Sequence, residues 1–77
     1  MITVLLFAGL QDSIGQAKLT YPCAPITVGE LLQDLSEQYP ESRFTGVMAS
    51  INQRFAGSGD LIESGDVVAL LPAISGG

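Results

Sequence analysis

The stretch Thr27-Val28-Gly29-Glu30 reads as the start of a helix. A threonine hydroxyl and a glutamate carboxylate three residues apart satisfy each other's free backbone amides there. Val28, Leu31, Leu32, Leu35 and Tyr39 then recur at helical spacing, with Gln33, Asp34, Glu37 and Gln38 on the opposite side. Pro40 stops the run. No other part of the 77 residues keeps this periodicity. The apolar stripe needs a sheet to cover, and one helix covers one sheet face only.

The rest of the chain supplies that sheet. Residues 2–7 and 67–71 are short apolar runs that read as strands. Residues 16–21 alternate polar and apolar, as a half-buried strand does. Pro22 and Pro25 impose an extended connection. Residues 8–14 suggest one helical turn closed by Gly15, and residues 42–46 a connector. Residues 47–51 and 54–56 form strands about an Asn52-Gln53 turn. Gly57-Ser58-Gly59 reads as a flexible link, residues 60–64 as a single turn, and Gly65-Asp66 as the turn into the last strand. The fold class is α+β: β-β-α-β-β-β, a mixed sheet of four to five strands packed by one main helix. No internal repeat or linker divides it, so residues 1–77 are expected to be one domain with a flexible tail at 72–77.

The first and last strands are apolar on both sides. Leu5 and Phe7 oppose Ile2, Val4 and Leu6; Val67, Ala69 and Leu71 oppose Val68 and Leu70. Either loops cover the surplus or it forms a protein interface. Phe7 and Leu70 are the candidates for such an interface, with core membership as the other reading.

Pro72-Ala73-Ile74-Ser75-Gly76-Gly77 follows the last strand. Pro72 cannot donate a ladder hydrogen bond, so pairing stops near it. Five residues beyond it reach roughly 17 Å when extended. Gly76 and Gly77 carry no side chain, so such a tail can thread a narrow channel and deliver a carboxylate to a remote site. Ile74 is its one large apolar side chain, either an anchor in a partner groove or a frayed residue.

Composition narrows the chemistry. There is no histidine, so the usual general base near neutral pH is missing, and no Cys/His cluster offers a metal site. Cys23 is the single cysteine and reads as a small apolar filler, with a reactive thiol as the minority reading. The net charge is −5, with only Lys18, Arg43 and Arg54 as cations. That argues against nucleic acid or an anionic membrane as partner. Glu30, Asp34, Glu37 and Glu41 read as a solvated helix face. No apolar run approaches a membrane span and no basic segment precedes the first strand, so cytoplasmic location is expected. The chain is a poor candidate for a self-sufficient enzyme.

Four stretches together resemble the ubiquitin-like β-grasp sulfur carriers, most closely the small subunit of molybdopterin synthase. They are Phe7-Ala8 followed by Gly15; Ser50-Ile51-Asn52-Gln53; Leu61 with Gly65-Asp66-Val67-Val68-Ala69; and the tail from Pro72 to Gly77. Ala73 stands where the family tail usually has a second proline, and Gln11 where many relatives carry arginine. The resemblance implies that an E1-like adenylyltransferase, using ATP and magnesium, adenylates Gly77. A sulfur donor protein then converts it to a thiocarboxylate. The tail would insert into the large synthase subunit and pass sulfur to cyclic pyranopterin monophosphate, forming the molybdopterin dithiolene. Pro72, Ala73, Ile74, Ser75 and Gly76 would be the tail-binding residues, and this chain itself would hold no cofactor. The resemblance further suggests two small plus two large subunits. The thiamine-pathway sulfur carrier, and a ubiquitin-like modifier conjugated through Gly77 to lysines, are the alternatives.

Overall fold

In a computed structural model of the chain, residues 1–22, 24–40, 44 and 46–71 are described. In chain order the elements are β1 (Ile2–Leu6), α1 (Ala8–Ile14), β2 (Lys18–Tyr21), β3 (Ile26–Thr27), α2 (Val28–Gln38), β4 (Met48–Ile51), β5 (Arg54–Ala56), β6 (Leu61–Ile62) and β7 (Val67–Leu71). Five strands form one sheet in the order β2-β1-β7-β4-β5, and β3 pairs with β6 in a separate two-stranded sheet. The central pair, β1 and β7, is parallel, and the other pairs are antiparallel. This is the expected mixed sheet with one main helix, the ubiquitin-like β-grasp.

Register fixes which side of each strand meets the helix. Val4 lies opposite Val68 and Leu6 opposite Leu70, while Ala49 lies opposite Leu70 on the next strand. These residues are buried with Ile2, Tyr21, Val28, Leu31 and Leu35 in one core. Leu10 of α1, Phe44 of the connector and Ile62 of β6 complete it. The segment expected to be a single turn is thus a seven-residue helix. It ends at Gly15, whose φ of 82° is left-handed and whose N–H donates to the Gln11 carbonyl at 2.8 Å.

At the start of α2 the reciprocal Thr27–Glu30 cap is present. The Glu30 N–H donates to Thr27 Oγ1 at 3.2 Å, and the Thr27 N–H donates to Glu30 Oε1 at 3.1 Å. The segment Gly57-Ser58-Gly59, expected to be a flexible link, is a hydrogen-bonded turn: the Asp60 N–H donates to the Gly57 carbonyl at 3.0 Å, and the Gly57 N–H donates to Asp60 Oδ2 at 2.7 Å. This turn accepts the next free amides of α2, Val28 N–H on the Asp60 carbonyl at 3.0 Å and Gly29 N–H on the Ser58 carbonyl at 2.9 Å. The first three amides of the helix therefore all have protein acceptors. The following residues were also expected to form a turn. Instead Leu61 and Ile62 pair with Thr27 and Ile26, and Ile62 is fully buried. A second tie reaches α2 from the sheet, where the Tyr21 hydroxyl donates to the Asp34 carboxylate. Asp34 is half-buried by this contact and so departs from the solvated face assigned to it.

Two glycines at equivalent positions in the two helices give a test. A Cβ added at Gly9 meets nothing within 4 Å, whereas one at Gly29 would sit 3.2 Å from the Ser58 carbonyl oxygen. Gly9→Ala is expected to stabilise the protein by about 0.5 kcal/mol through the unfolded chain. Gly29→Ala is expected to cost about 1 kcal/mol, because the backbone that accepts its own N–H must be pushed away. Urea unfolding midpoints at unchanged slope check both.

Candidate functional site

The sheet face turned away from α2 is built by the opposite parity of every strand. From edge to edge it presents Lys18 and Thr20 of β2, Thr3 and Leu5 of β1, Val67, Ala69 and Leu71 of β7, Met48 and Ser50 of β4, and Phe55 of β5. No layer of the described structure covers it. Phe55 is 76% exposed, Met48 48% and Val67 38%. Its only charge is Lys18, although the whole chain carries eight acids. The acids of the described residues lie on the helices and the connecting loops instead.

Phe7 follows β1 directly. Its backbone stays extended, with φ −127° and ψ 154°, so it continues the alternation onto this open side and remains 41% exposed. The other interface candidate does not hold. Leu70 is fully buried, because its register with Leu6 and Ala49 turns it toward the helix. The strand is apolar at every position, so nothing within it distinguishes its two sides. Met48 and Phe55, which sequence reasoning did not single out, take the place of Leu70 on the face. The signal for them was the parity of the β4–β5 hairpin about its two-residue turn.

Leu71, the last described residue, pairs with Met48, and the parallel register sets Phe7 beside it. Pro72, Ala73, Ile74, Ser75, Gly76 and Gly77, and also Cys23, Glu41 and Arg43, lie outside the described residues. The chain therefore enters residues 72–77 from a central strand, between Phe7 and Met48, at one end of the exposed apolar face.

The other end of that face is locked by a polar knot. Asn52 and Gln53 both have positive φ, 50° and 71°, as a tight two-residue hairpin turn requires. The Asn52 amide donates to Asp66 Oδ1 at 3.0 Å, and its own oxygen accepts the Val67 N–H at 3.0 Å. Asp66 Oδ2 accepts the Glu63 N–H at 2.9 Å. Hydrogen bonds from the Glu63 amide first, and then from Asn52, favour the carboxylate and hold Asp66 below the ordinary aspartate value. Beside the knot lies a shallow hollow of about 280 Å³, lined by Leu5, Ser50, Asn52, Gln53, Val67 and Ala69. A second, of about 330 Å³, runs between α2 and the β4–β5 edge past Val28, Leu32, Val47, Met48 and Phe55. Among the described residues no group of three or more metal-ligating side chains converges. No helix of the described residues is long and apolar enough to cross a membrane. What the arrangement offers is an exposed apolar surface with the start of residues 72–77 at its edge.

Comparison with known proteins agrees with this shape. The profile of the ThiS family matches residues 4–77. Among solved structures, SAMP1 from Haloferax volcanii superposes with a TM-score of 0.77 at 25% identity, over 99% of this chain and 98% of that one. A protein from Pyrococcus furiosus, provisionally named molybdopterin converting factor, subunit 1, gives 0.79 at 17% identity, over 95% and 97% of the two chains. The Amycolatopsis orientalis BexX/CysO complex gives 0.72 at 21% identity, over 100% of both chains. The last two likenesses show the fold.

The polar knot has a measurable consequence. An aspartate whose folded value is depressed stabilises the fold above its unfolded value and loses that contribution as pH falls through the folded one. The Asp66 carboxyl carbon, followed by NMR, is expected to titrate at a lower pH than the same residue in an unstructured peptide. Asn52→Ala is expected to move it part of the way back.

Proposed function

The chain belongs to the ThiS family of ubiquitin-like sulfur carriers, and from that premise we propose that it is the sulfur-donating subunit of molybdopterin synthase. The observation that carries the reading is the position of Leu71, from which residues 72–77 start at the rim of the exposed apolar face. A partner seated on that face lies where the tail begins. Phe7-Ala8 and the tail that opens with Pro72 favour the molybdopterin pathway over the thiamine one.

The chemistry asks little of this chain. A Gly77 carboxylate oxygen attacks the α-phosphorus of ATP on an E1-like adenylyltransferase, and magnesium pyrophosphate leaves. A persulfide on a donor protein attacks the acyl carbon and displaces AMP. A second thiol then attacks the donor's sulfur of the resulting acyl disulfide, releasing the thiocarboxylate and leaving a disulfide. In the large synthase subunit the thiocarboxylate sulfur would take the place of a carbon-bound oxygen of the cyclic pyranopterin monophosphate, which leaves as phosphate ester or water. Hydrolysis of the acyl–sulfur bond returns the Gly77 carboxylate. Two such rounds supply the two sulfurs of the dithiolene. Catalytic side chains, ATP and magnesium belong to the partners. This chain supplies grip through Phe7, Met48 and Phe55, anchorage through Ile74, and clearance through Gly76.

A second reading is favoured by the likeness to SAMP1, a small archaeal modifier protein. In it the same activated Gly77 forms an amide with a lysine of another protein. Incubation with the E1-like enzyme, ATP, magnesium and sulfide separates the two. Exchange of one C-terminal oxygen for sulfur in the intact mass, followed by dithiolene formation once the large subunit and the pterin precursor are added, is the expected result. Lysine adducts without thiocarboxylate would favour the modifier. Gly76→Ala is expected to lower thiocarboxylate yield at least tenfold at unchanged thermal stability.

A further inference from the structure

We propose that Met48 is a reversible oxidation site through which hydroperoxides weaken docking of the carrier. The inference rests on the carrier reading above, since it concerns the same face. Met48 opens β4, is about half exposed, and stands directly across from Leu71. Phe55 follows one strand further out, on the same side, where it is opposite Ser50. The thioether is therefore open to a small solute in the free protein, yet falls under any partner that covers this end of the sheet. Only one other methionine exists in the chain. That residue, Met1, precedes the opposite end of β1, where its carbonyl accepts the Gly65 N–H at 2.8 Å. Oxidation at Met1 thus falls at the far end of the sheet from the start of the tail.

The step needs no group of the protein beyond the sulfur. A lone pair of Met48 Sδ attacks the terminal peroxide oxygen, the S–O bond forms as the O–O bond breaks, and the leaving hydroxide takes up a proton as water. The sulfur is oxidised by two electrons and the peroxide is reduced by two. A dithiol reductase reverses the change, forming a disulfide and water. In the free carrier the sulfoxide oxygen is hydrated, and Met48 contributes nothing to the buried core, so the fold is left intact. Under an apolar partner surface the same oxygen loses water without gaining a donor, which opposes docking. Docking and fold stability thereby become separable.

The test uses the full chain, with hydrogen peroxide as oxidant and the cognate E1-like adenylyltransferase as partner. Peptide mass mapping locates the sulfoxide, a dithiothreitol wash resets Cys23, and titration calorimetry gives the affinity. Each protein is compared with its own reduced form. Oxidised wild type is expected to bind at least about fivefold more weakly, within the range of a well-placed interface side chain. Its melting temperature should stay unchanged, and methionine sulfoxide reductase should restore binding. Met48→Leu keeps Met1 and Cys23, and its affinity ratio is expected to stay within twofold. Equal affinity of oxidised and reduced wild type, or an equal fall in the Met48→Leu protein, would overturn the proposal while leaving the carrier reading in place. Reduced wild type that neither binds nor is adenylated would overturn both.

Discussion

The parallel pairing of β1 with β7 is the constraint from which the rest follows. It puts two strands that are apolar on both sides at the centre of the sheet, where their registers must agree. Val4 against Val68 and Leu6 against Leu70 set one parity toward α2. Once that side is chosen, Leu5, Val67, Ala69 and Leu71 have only the other side to occupy. With a single long helix among the described residues, no second layer of them reaches these side chains. The exposed apolar face is thus a direct consequence of one helix, one sheet and two central strands without polar alternation.

This also explains which parts of the fold were legible in the sequence. The long helix was, because Thr27, Glu30 and Pro40 mark its ends chemically and its stripe has a definite period. The β4–β5 hairpin was, because two residues at a turn leave little choice of register. The parity of β7 was not, because Val67 to Leu71 offers no polar residue to mark a solvent side, so Leu70 stayed open between interface and core until the register put it in the core. The β3–β6 pairing was also missed. Two residues per strand are too few to show any period, and their pairing depends on where the turn at 57–60 lands on α2. That turn looked like slack because glycine and serine dominate it. Its order comes from main-chain groups and from Asp60, and main-chain acceptors leave no trace in a sequence pattern.

The stretches that carried the family resemblance gain a physical meaning in three dimensions. Ser50-Ile51-Asn52-Gln53 and Gly65-Asp66-Val67-Val68-Ala69 are separate in sequence but form one device. Asn52 needs a positive φ for its turn, which asparagine tolerates, and its side chain then closes on Asp66 and Val67. This pins the hairpin to the start of β7 and so fixes the register that brings Met48 opposite Leu71 at the other end. The Phe7 position is legible for a similar reason, since it is the next residue after a central strand. The tail itself offered the strongest chemical signal, two terminal glycines after a proline, and this signal concerns composition rather than packing.

The size of the open face sets how tightly such a carrier can be held. Five strands spaced about 4.8 Å apart, with four residues rising about 3.3 Å each, cover roughly 300 Å². A standard stable interface buries about 800 Å² on each partner. The flat footprint of the sheet is thus small beside a standard interface, and in the proposed role a tail lying in a partner channel would add to it. A carrier in the proposed role visits an activating enzyme, a sulfur donor and a synthase in turn, and permanent attachment to any of them would end the cycle. A modest apolar face joined to a tail gives two weak contacts that are strong only when both engage. In the proposed role, losing the tail contact after sulfur transfer would leave only the smaller one, and the carrier would depart.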